Sequence, residues 1–386
     1  MFVGFGALVL SNVLFNFFAS RVLGPIQYGV FNSFFYLLLA FCQPNNSLQL
    51  AVAKRSSEGK FSLKNVVLTF SLIAFFIFLL LLFILPFILR FYNIFDYSYS
   101  LFGALIVFLW VLTAGMRGVF QGEMKFFTYG LNIGLEGFLR FFAVLLLFYI
   151  GLRVKGAVFS SIVAGFFSLL FLLRPLKNDA PFQIDFPLIK EFISAFSIFF
   201  PFGLIFQIDL TLAQFFLSEI DIGYLSACGL FGKNLVFLSI VLANVVFSYV
   251  INKSDRYFLF GNLLTFGVFF FAFLFTVFFG KWLILFIQGE KFLEASKIFP
   301  QYIIFSFLIA IIQQIVNFSI AKGIKIISII LWFFLIFIFA TGFLLLKSYA
   351  AIASFLYFLI IIFIFFDIFL LLIILLYNKK IILTER

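Results

Sequence analysis

The hydrophobic pattern of this chain is a succession of long apolar runs separated by short polar turns. A helix of about 20 apolar residues crosses a hydrocarbon core, and twelve such runs can be placed: 1–20, 28–52, 65–89, 100–120, 127–150, 154–173, 192–217, 223–250, 257–279, 299–320, 326–346 and 350–377. The turn joining the first two runs reads Ser20-Arg21-Val22-Leu23-Gly24-Pro25-Ile26-Gln27-Tyr28-Gly29-Val30-Phe31, and neither Met1 to Ala19 nor Val30 to Val52 carries a charge. This predicts the tip of a membrane hairpin. Gly24 and Pro25 stop the first helix, because proline lacks an N–H and glycine tolerates the dihedrals of a helix end, and Gly29 lets the second start close to its neighbour. Shifting the sequence by 194 positions lays Leu23, Ile26 and Gly29 on Leu217, Ile220 and Gly223, so the chain reads as two copies of one plan.

Between the sixth and seventh runs, Arg174 to Lys190 holds Pro175, Pro181 and Pro187 and most of the mid-chain charge. The expected organisation is an N-terminal six-helix lobe over 1–173, a cytoplasmic linker over 174–191, and a C-terminal six-helix lobe over 192–386 with a short cytoplasmic tail. Six is an even number, so the second copy enters the membrane in the same sense as the first. The predicted class is an all-α polytopic membrane protein: twelve transmembrane helices in two parallel six-helix repeats, with a site at their interface near the midplane.

Composition agrees. Of 386 residues 65% are hydrophobic and 11% charged, with a mean hydropathy of +1.26, whereas soluble domains carry roughly 25% charged residues. Seventy-one phenylalanines reflect base composition more than mechanism, and the absence of histidine removes one common proton carrier and metal ligand. Cys42 and Cys228 both fall in apolar runs, as packed or lipid-facing thiols; no disulfide, metal site or cofactor is implied. The first run lacks a charged leader and a small-residue cleavage site, so it is expected to be retained.

Cytoplasmic loops carry the excess of lysine and arginine. With the N-terminus inside, sixteen of the 26 fall on the cytoplasmic side and eight on the other, leaving Arg140 and Lys233 within the membrane. Both termini are therefore expected in the cytoplasm of a multi-pass protein of the cytoplasmic (inner) membrane. The net charge of +11 then calls for no nucleic acid; basic loops facing anionic membrane lipids explain it.

Three stretches carry a resemblance: Ala19 to Gly29, then Met116-Arg117-Gly118-Val119-Phe120-Gln121-Gly122, then Gln207-Ile208-Asp209 with Ile222-Gly223-Tyr224. From the first helix to at least Lys253 the chain resembles the polysaccharide transporter (oligosaccharide flippase) family of the multidrug/oligosaccharidyl-lipid/polysaccharide exporter superfamily. The resemblance implies two six-helix lobes around a central V-shaped cavity. It also implies alternating-access transfer of a polyprenyl-pyrophosphate-linked glycan, with the glycan polymerase or glycosyltransferases of the same pathway as further partners.

The candidate chemistry lies in charges at membrane depth, which are costly there and tend to face protein interiors or watery cavities. Glu136 precedes Arg140 by one turn, so the two form either a self-neutralising pair or a site where Arg140 meets substrate pyrophosphate while Glu136 takes up a proton or cation. Lys233 has no acid nearby in its own helix, and Asp209 is its expected partner, as a structural pair or as a cavity pair that phosphate opens. Arg117 ends the fourth helix, where topology and the helix C-terminus favour positive charge, with a substrate contact as the alternative. Asp367 is either a proton-coupling carboxylate or a packed residue. Arg21 reads from position as an interfacial arginine; the resemblance adds a role in substrate handling. Gln207, Gln214, Gln313, Gln314, Asn234, Asn244 and Asn317 suit either interhelical hydrogen bonds or a sugar path.

Nothing resembles an enzyme's active site. A glycosyltransferase or polymerase would need a sizeable outer loop with carboxylates, and the longest candidate, Gly280 to Pro300, is short and places Glu290 and Glu294 among lysines. A multidrug or toxin antiporter of the same superfamily is the main rival; its cavity would be more acidic or apolar than Arg21, Arg140 and Lys233 suggest.

Overall fold

A computed structural model describes residues 2–57, 63–92, 94–173, 184–252, 256–321, 324, 326–346 and 351–384. Among them are thirteen α-helices, one short 3-10 helix and no strand. The helices are α1 (Phe2–Cys42), α2 (Pro44–Ser57), α3 (Leu63–Phe91), α4 (Ser98–Gly122), α5 (Phe126–Tyr149), α6 (Arg153–Leu173), α7 (Phe186–Phe206), α8 (Ile208–Phe216), α9 (Glu219–Asn252), α10 (Arg256–Gln288), α11 (Phe299–Ala321), α12 (Ile326–Leu345) and α13 (Ile352–Thr384). Eleven described helices are long and apolar enough to cross a membrane, and the first covers two of the expected spans. The protein is an all-α polytopic membrane protein.

α1 is two helices in one. Gly24, at φ 70° and ψ 175°, interrupts its helical geometry just before Pro25, a backbone region open almost only to glycine. Along a straight helix, residues twelve apart lie about 18 Å apart. Yet Tyr28 donates its hydroxyl to Asn16 Oδ1 at 2.9 Å, and the rings of Phe15 and Phe31 lie 5.6 Å apart. The chain therefore folds back at Gly24, and the predicted hairpin is present.

The matching turn after α8 is built otherwise. Ser218, which stands 194 positions after Gly24, caps α9: its Oγ accepts from Asp221 N at 3.2 Å and donates to Asp221 Oδ2 at 2.7 Å. This Ser-x-x-Asp capping pair was readable in the sequence.

By contacts the chain divides into two compact units, 1–207 and 208–386. The division falls where α7 ends at Gln207, within what hydropathy reads as one span. Most of the expected linker, 174–183, lies outside the described residues. Its end does not behave as linker: Asp185 caps α7 by accepting from Leu188 N at 2.8 Å, with Pro187 tolerated in the first turn, so the seventh span begins at Phe186 rather than at 192. α7 packs into the first unit, with Phe200 stacked near Phe41 at 5.1 Å. Likewise α10 continues to Gln288 and a 3-10 helix fills Glu290–Lys297, so the stretch from Gly280 holds less loop than expected.

Two sets of surface ion pairs agree with the alternation of spans. Arg55 bonds both oxygens of Asp185 at 3.0 Å and also Glu191, joining residues assigned to one face. Lys155 bonds Asp96 at 2.6 Å on the opposite face.

Candidate functional site

The first unit holds a buried polar layer where α4, α5 and α6 meet. Arg117 Nε donates to Asn132 Oδ1 at 2.8 Å, and its Nη2 donates to Glu136 Oε2 and to Ser168 Oγ at 3.3 Å. Asn132 Nδ2 donates to the Ser168 carbonyl at 2.9 Å, and Ser168 Oγ reaches Asn132 at 3.1 Å. Arg117 and Glu136 are each 16% exposed. The hydrogen-bonded pair expected between Glu136 and Arg140 does not form; Glu136 bonds Arg117 instead. Arg117 points sideways from α4 into α5, where its planar fork can satisfy an acid and an amide together.

Arg140 is left with a different environment. Its guanidinium packs on the faces of Phe15 and Phe35, with Cζ 4.3 and 4.4 Å from the ring centroids, and Nη1 approaches Asn12 Oδ1 at 3.4 Å. Its Nε is buried without a partner, and no carboxylate lies within ion-pair distance among the described residues. The two phenylalanines come from opposite arms of the α1 hairpin, so the turn at Gly24 is what brings them to one cation. Asn16, Tyr28 and buried Asn32 extend a polar seam along the inside of the hairpin. The sequence reading missed this seam; Asn12 and Asn16, one turn apart, were its signal.

The second unit closes around Lys233 and Asp209. Lys233 Nζ donates to Asp209 Oδ1 at 3.0 Å, and Tyr302 of α11 donates its hydroxyl to Asp209 Oδ2 at 2.5 Å. Lys233 is 2% exposed and Asp209 fully buried. The slot for Tyr302 exists because α9 has glycine where it passes: a Cβ on Gly232 would come within 2.7 Å of the tyrosine ring and would overlap Ser306 Oγ. The expected pair thus forms, in a setting without solvent access. Of the two readings offered for it, this geometry favours the structural one.

Arg21 is exposed and rests on Phe17, 3.9 Å above the ring. Gln314 bonds Thr265 at 3.1 Å and the Ser239 carbonyl at 3.4 Å, and Gln313 bonds Asn317 at 2.8 Å, so these amides serve as interhelical or intrahelical contacts. Gln207 is buried and Asn234 bonds the Leu230 carbonyl one turn back; the side chain of Asn244 lies outside the described residues. Cys228 is buried and donates to the Ala295 carbonyl at 3.3 Å, and Cys42 is partly exposed, both as free thiols. Asp367 is 6% exposed, and neither carboxylate oxygen has a hydrogen-bond partner.

With that geometry in hand, solved structures supply the comparison. An inward-facing multidrug resistance MATE family transporter of the MOP superfamily superposes with a TM-score of 0.70 over 96% of each chain, at 14% identity. The fold is that of MOP superfamily transporters. The lipid II flippase MurJ, in an inward closed conformation, matches with a TM-score of 0.60 over 99% of this chain and 100% of that one, at 17% identity. A MOP superfamily transporter from Pyrococcus furiosus, described as having a binding pocket of reverse polarity, matches with a TM-score of 0.59 over 96% and 92% at 15% identity. No protein-family model and no curated protein sequence matches the chain.

Proposed function

We propose that this protein is a flippase: it moves a lipid-linked oligosaccharide with a polyprenyl-pyrophosphate head across the cytoplasmic membrane by alternating access, for surface polysaccharide synthesis. The supporting observation is Arg140. A guanidinium held at membrane depth on two phenylalanine faces, with an unpartnered Nε and no carboxylate within ion-pair distance among the described residues, is suited to an oxyanion. Phosphate oxygens match the guanidinium fork in charge and geometry. The asparagines and tyrosine of the adjoining seam offer neutral donors and acceptors of the kind sugar hydroxyls use. Lys233 and Arg117 do not add to this argument, since each is satisfied by a buried acid.

The test is native mass spectrometry of the purified protein with undecaprenyl pyrophosphate. The wild type is expected to retain it over a zwitterionic phospholipid, and Arg140→Gln to lose that preference with an unchanged melting temperature. Equal retention by both proteins overturns the role of Arg140.

A cation-coupled multidrug antiporter is the second reading. The fold shared with a multidrug MATE transporter favours it. Ethidium efflux from proteoliposomes, with no retention of undecaprenyl pyrophosphate, would select this reading.

A further inference from the structure

Three carboxylates lie deep within the described helices, and two are occupied. Glu136 bonds Arg117, and Asp209 bonds Lys233 and Tyr302. Asp367 has neither a cation nor a hydrogen-bond donor on either oxygen among the described residues, although it is only 6% exposed. Its surroundings explain why. On its own face of α13 it is flanked by Phe363, Phe366 and Leu370, all buried. Phe363 packs on Phe305 of α11 at 5.1 Å and on Phe334 of α12 at 5.3 Å, and Phe366 stacks on Phe334. The wall is aromatic hydrocarbon.

Among the described residues, the helices seen to pack on α13 are α8, α11 and α12. α11 offers Tyr302, whose hydroxyl is given to Asp209; α8 offers Asp209 itself, paired with Lys233; α12 offers none. On α13, Tyr357 is exposed, and Tyr377, Lys379 and Lys380 lie ten or more residues on, about 15 Å along the axis. An ionised carboxylate left there would give up its hydration with nothing in exchange, a loss large enough that such groups take up a proton instead. A neutral acid gives up far less hydration on burial.

We propose that Asp367 is an intramembrane proton-binding site, loaded in the conformation described here and discharged to water only when α13 and its aromatic neighbours part. This does not rest on the identity of the substrate and serves a lipid flippase or an antiporter equally. The proton is the only species exchanged: it leaves the carboxyl oxygen for water, and the carboxylate so formed is stable only while hydrated.

Dicyclohexylcarbodiimide tests this directly, because it adds to protonated carboxyls in apolar surroundings. The acid O–H adds across a C=N bond and the adduct rearranges to a stable N-acylurea. In the purified wild type near neutral pH, the peptide containing Asp367 is expected to gain one carbodiimide, with labelling independent of sodium; peptides with Asp209 and Glu136 are expected to stay unlabelled. In Asp367→Asn the label should fall to background. An unlabelled Asp367 peptide overturns the proposal, and so does protection by sodium, which would make the site one for a metal cation. A second readout does not depend on reagent access. Asp367→Asn replaces the neutral acid by a neutral amide of the same shape, so its melting temperature at neutral pH should equal or exceed that of the wild type. A large fall would mean the carboxylate is ionised and paired, and would sink the idea.

Discussion

Glu136 lies one helical turn from Arg140 and yet bonds Arg117 of the preceding helix. The choice is set by donors other than the charge. At Arg117 the acid joins Asn132 and Ser168 in a layer where nearly every polar atom is answered, whereas Arg140 offers it only a guanidinium already spread over two rings.

Removing half of that layer should leave the other half stranded. Arg117→Ala is expected to destabilise the protein by about 3 kcal/mol, the lower part of the range for breaking a buried pair, and Arg117→Ala with Glu136→Ala to recover part of it. A double-mutant cycle of thermal melting in detergent measures the coupling; strict additivity would mean that the pair contributes nothing.

Tyr302 should matter mainly through its hydroxyl. Tyr302→Phe preserves the ring in its glycine-lined slot but withdraws one donor from the Asp209 carboxylate. A loss of roughly 1.5–3 kcal/mol is expected for a hydrogen bond to a charged group. Lys233→Met should cost more, because it leaves the carboxylate without its counter-charge. Melting curves rank the two variants.

The hairpin depends on one backbone conformation. Gly24→Ala places a side chain at φ 70° and ψ 175°, a strain of about 1–3 kcal/mol, and should lower the melting temperature without altering any hydrogen bond of the Asn12 seam. Glycine-specific loss is checked against Pro25→Ala, which should be milder.

Asp96 supplies a pH dependence outside the membrane. Its hydrogen bond from Lys155, helped by those from Ser98, holds its pKa down to about 2 from the ordinary carboxylate value. A depressed value adds stability above the unfolded-state value near 3.9, and that stability disappears as pH falls towards 2. Both partners are well exposed, so solvent and salt screen most of it, and less than about 1 kcal/mol is expected. Lys155→Ala should flatten melting temperature against pH between 4 and 2, and added salt should do the same.

Much of the fold was legible because one requirement dominates it. A bilayer-length apolar run leaves little choice, and α11, expected at 299–320, spans Phe299–Ala321. The Lys233 and Asp209 pair was legible for a similar reason: a buried ammonium with no acid in its own helix must find one in the next. The partner of Glu136 was not, because four-residue spacing shows neighbours within a helix and says nothing about what the adjoining helix presents. The start of α7 was missed because three prolines and a cluster of charge suggested a linker, while the Asp185 cap, which sets the helix start, is a single residue. The isolation of Asp367 needed the packing of α11 and α12 against its own helix to be seen.

Gly24 and Ser218 stand at the same place in the two copies but reverse the chain by unrelated means, one through a dihedral angle and the other through a side-chain hydroxyl. A shared register in the sequence therefore does not imply a shared turn device. Exchanging the two tips by recombination would transplant a glycine without its following proline context, or a serine without its aspartate, and neither half would regain its own corner.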